Sequence, residues 1–169
     1  NAIRRVVEIA PNSEYLVLAA QTALQLNRPR DAIEFLTQVD PKGGWLGGQW
    51  AYWDRLAVAY HMLGDHRQEL EEVYRGQSQL PDRRNILWQE MRALAALGRT
   101  EQLKARIQEG VTHPGYQMAY LARELRAHGY GGAAMEMRHS AIEWFEARSP
   151  EQKGDPFERW DLAGVLLDV

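Results

Sequence analysis

Apolar residues recur along this chain three and four positions apart, and Gly, Pro or Asn interrupts the pattern about once per helix length. Leu16, Ala19, Ala20 and Ala23 form one stripe, and Trp53, Leu56, Ala57 and Tyr60 a second. Leu87, Met91 and Leu94 form a third, and Met118, Leu121, Ala122 and Leu125 a fourth. Alternating β-branched runs, the signature of strands, are nearly absent, so the pattern predicts an all-α chain. Asn12-Ser13 can cap a helix running to about Leu26, and Pro29 can open the next, which Asp40-Pro41-Lys42-Gly43-Gly44 ends. Further helices are predicted from about Gln49 to Leu63, from His66 to Leu80, from after Asp82 to Gly98, and from Thr100 to Gly110. Beyond the loop His113-Pro114-Gly115, two more run to about His128 and from Gly131 to Arg148, and a last one starts near Phe157. The turns are short, which folds neighbouring helices into antiparallel hairpins.

The turn residues are spaced regularly. Gly64 and Gly98 lie 34 apart, Gly98 and Gly129 lie 31 apart, and Asn27 holds the same turn 37 before Gly64. A helix–turn–helix unit of about 34 residues is the tetratricopeptide period. The second unit reads Trp53-x2-Leu56-Ala57-x2-Tyr60, then Gly64, then Pro81, and so resembles the tetratricopeptide pattern with Ala in place of its first Gly. The other units sit in register: Leu16, Ala19, Ala20, Ala23, Ala32 and Leu36; Leu87, Met91, Leu94, Leu103 and Ile107; Met118, Leu121, Ala122, Leu125, Ala134 and Ala141. Glu69 and Arg138 depart from it, because they stand where the pattern has small or apolar residues. An aromatic, glycine-rich insertion, Gly43-Gly44-Trp45-Leu46-Gly47-Gly48-Gln49-Trp50, follows the first unit.

The resemblance covers essentially the whole chain and implies a right-handed α-solenoid of antiparallel helix hairpins, with about four full repeats and two half repeats. As one array over 1–169 it divides into the end of a preceding repeat (1–11), repeats at 12–44, 45–82, 83–114 and 115–150, and the first helix of a following repeat (156–169). Pro11 then stands at a repeat's terminal proline, and Trp160-x2-Ala163-Gly164-x2-Leu167 opens a helix with no partner after it. The expectation is a piece of a longer bacterial protein, since solenoids end in polar caps.

Composition narrows the function classes. The 169 residues carry a net charge of −3, 45% hydrophobic residues and no Cys. Disorder is excluded by the apolar share, and a disulfide framework, thiolate metal site or cysteine nucleophile by the missing Cys. Seventeen of the basic residues are Arg, against Lys42, Lys104 and Lys153. The balance gives no footprint for nucleic acid, and Arg4-Arg5 and Arg83-Arg84 are too short to make one. No apolar run reaches the ~20 residues of a membrane helix, and the missing Cys fits a reducing compartment, so the cytoplasm is expected.

Candidate chemistry is sparse. His61 and His66 flank a turn with Asp65 between them and could seat a metal, but a histidine in a helix's last turn also suits the helix dipole. Glu136-x-x-His139 has the spacing of bundle di-metal sites, which need a second copy and two further Glu; a solvated face is the expectation. Lys42 precedes its glycines and no strand leads to them, which excludes a phosphate loop. Trp45 and Trp50 are expected to pack over the neighbouring repeat. No triad or nucleophile elbow is present, so neither catalytic residue, metal nor cofactor is expected.

The family resemblance implies a concave groove lined by the first helices, where a partner protein or peptide binds. By register the groove positions include Gln21 in unit one, Asp54 and His61 in unit two, Trp88, Gln89 and Arg92 in unit three, and Tyr120, Arg123 and Arg126 in unit four. Val17, Asp54 and Ala119 stand where the carboxylate-clamp subset has Lys, which disfavours capture of peptide C-termini. Arg92 and Arg123 share one repeat position beside Trp88 and Tyr120, a composition suited to an acidic or aromatic segment. The expected function is a non-enzymatic interaction scaffold. The alternative is a regulatory arm of a larger bacterial signalling protein, a Ser/Thr kinase or transcriptional regulator, whose active part lies outside these residues.

Overall fold

A computed structural model describes residues 5, 9, 14–39, 41, 50–80, 84–110, 114–149, 151 and 162–164. Eight helices of eight residues or more lie among them: α1 (Glu14–Gln25), α2 (Pro29–Leu36), α3 (Trp50–Met62), α4 (His66–Gln79), α5 (Arg84–Ala96), α6 (Thr100–Gly110), α7 (Pro114–Ala127) and α8 (Gly131–Glu146). The described residues hold no strand. The expected starts at Pro29, His66, Thr100 and Gly131 are met, and the other observed bounds fall within about two residues of the expected ones, except that α2 stops at Leu36, short of the end expected at Asp40. The expected caps at Asn12-Ser13, the Lys42–Gln49 insertion with Trp45, Pro81, the 1–4 and 6–8 segments, and the helix from Phe157 lie outside the described residues, apart from 162–164, which are helical.

The helices end where they do because one turn is used four times. Among the described residues, Asn27, Gly64, Gly98 and Gly129 have positive φ, at 56°, 74°, 65° and 88°. At each, the residue's N–H bonds the carbonyl three back and the next N–H bonds the carbonyl five back. The pairs are Asn27 to Leu24 with Arg28 to Ala23, Gly64 to His61 with Asp65 to Tyr60, Gly98 to Ala95 with Arg99 to Leu94, and Gly129 to Arg126 with Tyr130 to Leu125. This is the Schellman arrangement, which satisfies the last carbonyls of a helix and needs a residue tolerant of the left-handed region. The residue after each turn then accepts the first bond of the next helix, as Arg28, Asp65, Arg99 and Tyr130 do from Ala32, Glu69, Leu103 and Ala134. Asp65 adds a side-chain cap, its Oδ1 accepting from Gln68 N at 3.2 Å.

The chain divides into two compact units, 1–93 and 94–169, and the division falls inside α5. In the first unit α1 packs on α2, α3 on α4, and α3 also on both α1 and α2. Its core holds Leu16, Ala20, Leu36, Trp53, Leu56, Ala57, Val73 and Ile86. Trp53 lies against Gly76, where an added Cβ would stand 2.9 Å from the indole, so α3 and α4 approach closely at that point. In the second unit α7 packs on α8 and on α6, burying Leu103, Met118, Leu121, Leu125, Met137, Ala141 and Phe145. Trp144 meets Phe145 edge-on at 5.1 Å and carries the Arg148 guanidinium 4.3 Å above its ring.

Candidate functional site

Among the described residues, two places that gather chemistry stand out. The first lies in the 1–93 unit, around a carboxylate that the repeat pattern does not call for. Glu69 sits in the first turn of α4 and is 0% exposed. An ionised carboxylate at such depth needs partners, and three elements supply them. Arg92 on α5 donates from Nε at 2.9 Å and from Nη2 at 2.6 Å to Oε1. His61, in the last turn of α3, and His66, the first residue of α4, each place Nδ1 3.0 Å from Oε2. Burial by itself would push the Glu69 carboxyl up, but the His61 hydrogen bond, the Arg92 charge and the His66 hydrogen bond together outweigh it and hold it below the usual carboxylate range. A carboxylate only accepts, so both imidazoles carry their proton on Nδ1 here. The two rings lie 4.9 Å apart, brought together by the Gly64 turn.

Other expected groove positions of this unit are also held by internal partners. Gln21 Oε1 accepts from Arg55 at 2.7 Å, joining α1 to α3 across 34 residues of sequence. Asp54 Oδ1 accepts from Gln89 Nε2 at 2.5 Å, joining α3 to α5 across 35. These separations match the spacing of 34 between Gly64 and Gly98. Gln89 is buried, Trp88 half-buried, and Arg92, at 7% exposure, is the counter-ion of Glu69 rather than a solvent-facing hand for a ligand.

The second place lies in the 94–169 unit, between α7 and α8. Ala119, Ala122, Gly131 and Ala134 floor an open pocket beside the exposed Met135, and Arg123, Arg126 and Arg138 stand around it. The small residues follow from the close contact of the two helices, and the arginines from positions one turn apart on α7 and facing them on α8. Arg123 and Arg126 are exposed, Tyr120 and Arg138 half-buried, and Arg123 Nη2 reaches the Gly164 carbonyl at 3.5 Å. Two expected groove residues, Arg123 and Arg126, are therefore brought together, with Arg138 added. Arg138 was visible in the sequence only as a charged residue at a normally small or apolar position. Glu136 meets Lys104 at 3.4 Å with both side chains exposed, and His139 is exposed, as expected of a solvated face.

Glu69 is the candidate residue that sequence reasoning passed over as such. Its signal was the same as that of Arg138, a charge where the repeat pattern has none, and its partners lie 3, 8 and 23 residues away. Compared with protein-family models, with curated proteins and with solved structures, the chain matches none.

Proposed function

We propose that this chain is a tetratricopeptide-like helical-hairpin array that acts without catalysis, binding an acidic segment of a partner protein at the α7/α8 pocket. The observation that carries the reading is that pocket: an apolar floor of Ala119, Ala122 and Ala134 with three arginines around it. Arginine grips carboxylates through a planar fork, and an apolar floor rewards a neighbouring hydrophobic side chain, so an acidic peptide with one apolar anchor fits both. The fourfold recurrence of one turn at a spacing near 34 residues supports the repeat architecture, and the α1–α3 and α3–α5 bonds at that same separation support stacking of successive first helices. No helix among the described residues is long and apolar enough to cross a membrane.

The test is fluorescence anisotropy with labelled peptides of matched length, one carrying Glu and Asp around a central Leu or Phe, one with the acids replaced by Lys. The acidic peptide is expected to bind, and an Arg123→Ala/Arg126→Ala variant to weaken it at least about tenfold, since one charge-assisted contact is worth about 1.5–3 kcal/mol. Equal affinity of the variant, or preference for the basic peptide, removes the proposal. Arg138→Ala should weaken binding in the same direction.

A further inference from the structure

The His61–His66–Glu69 cluster belongs to the 1–93 unit, and the peptide-binding reading makes no use of it. We infer that it is a binding site for one late first-row transition-metal ion, Zn2+ being the reference probe, with His61 Nδ1, His66 Nδ1 and Glu69 Oε2 as ligands. Two imidazoles and one carboxylate are the donor set of open-position zinc sites, in which a water completes the tetrahedron. Imidazole nitrogen excludes Ca2+ and Mg2+, which take oxygen.

The geometry is close to that of the bound state. All three donor atoms lie within 4.8 Å of one another, and each Nδ1 is 3.0 Å from the shared oxygen. Ligands about 2.0–2.1 Å from a tetrahedral ion are about 3.3 Å apart, so each Nδ1 changes its distance to Oε2 by only a few tenths of an ångström, and the two nitrogens, within 4.8 Å of each other, settle to the same separation. The frame around the donors is fixed. The Gly64 turn, with φ of 74° and the Asp65 cap, sets His61 against His66, and Arg92 holds the second carboxylate oxygen, the outer-shell contact that orients a ligating carboxylate. Access from water exists along the rings: the His61 side chain is 22% exposed and that of His66 11%, while Glu69 is sealed. Binding moves one proton within each imidazole, from Nδ1 to Nε2, and frees both Nδ1 lone pairs for the ion. No proton is released by neutral rings, and Glu69 is already ionised. The sequence expectation of no metal rested on the two histidines and the Asp65 between them. The third ligand was concealed as a departure from the repeat pattern.

The experiment uses the full chain stripped with chelator. Isothermal titration with Zn2+ near neutral pH is expected to give one ion per chain with a dissociation constant below about 10 μM. Co2+ should produce the intense visible absorption of a four-coordinate ion. His61→Gln and His66→Gln leave the Glu69–Arg92 pair in place; each should weaken Zn2+ at least about tenfold, and the double variant should abolish the cobalt band while keeping the far-ultraviolet circular dichroism. His139→Gln should change nothing. In the wild-type chain, nitrogen NMR of the imidazoles should show His61 and His66 passing from the Nδ1–H to the Nε2–H tautomer on addition of Zn2+, a readout independent of how the variants fold. Failure to bind one Zn2+, retention of binding in the folded double variant, or imidazole shifts confined to His128 or His139 overturns the inference.

Discussion

Glu69 shows how a single residue can be costly and stable together. Burying its charge is unfavourable, and four hydrogen bonds from three side chains restore it. Removing Arg92 therefore does more than delete one contact, because it leaves the carboxylate sealed from water with half of its hydrogen bonds gone. An Arg92→Leu chain is expected to lose about 3–5 kcal/mol of stability, as broken buried pairs do, and urea titration followed by circular dichroism measures it. An effect under about 1 kcal/mol would mean that the pair is not sealed in solution. The acid limb carries a second expectation, for the chelator-stripped chain. Glu69 has a folded pKa below its ordinary value of 4.5, so its contribution is fully present above that value and disappears as pH falls through the folded pKa. Wild type should exceed Glu69→Gln in stability at pH 7, and the gap should close below about pH 4.5. A gap that persisted unchanged at pH 3 would show that the carboxylate is not the stabilising form. None of this was legible in the pattern of apolar positions, which marks a charge at a core position as an exception and says nothing of partners on two other helices.

At the scale of the element the sequence was far more informative, because helix ends are local events. Asn27, Gly64, Gly98 and Gly129 stood out as punctuation, and each takes the one backbone region that Gly and Asn tolerate. The same turn is not under the same constraint everywhere. At Gly64 an added Cβ meets nothing within 4 Å, whereas at Gly98 it would stand 2.3 Å from the ring of Tyr130, the residue that follows the Gly129 turn. Gly64→Ala is thus expected to cost only the left-handed strain, roughly 1–2 kcal/mol. Gly98→Ala adds a clash with the ring and should cost roughly 1–3 kcal/mol more. Thermal melts of the two variants check the order; a Gly64→Ala chain that melts lower than Gly98→Ala would contradict the packing of Tyr130 on the turn. Spacing could place both glycines, but only the fold could tell them apart. The reason is that the ring which distinguishes them comes from 32 positions further along the chain. Of the expected groove positions, Arg123 and Arg126 line one pocket, but register could not see that Arg92, assigned the same repeat position as Arg123, is turned inward onto Glu69.

At the scale of the whole molecule, net charge and local charge point in opposite directions, and ionic strength separates them. The chain carries −3 overall, which repels an acidic partner at long range, while three arginines stand together at the α7/α8 pocket. Screening removes the long-range part first, since the Debye length is about 10 Å at 0.1 M salt and about 3 Å at 1 M. A partner held by bidentate contacts within about 3 Å of the guanidinium groups loses affinity slowly as salt rises. One steered by the overall field would instead bind better, because salt hides the repulsion. The expected outcome for the acidic peptide is a dissociation constant that rises by about threefold to tenfold between 50 and 500 mM NaCl, with the Arg123→Ala/Arg126→Ala variant showing little salt response. Affinity that strengthens with salt would place the binding energy on the apolar floor of Ala119, Ala122 and Ala134 rather than on the arginines, and the partner would then be sought among hydrophobic segments instead of acidic ones.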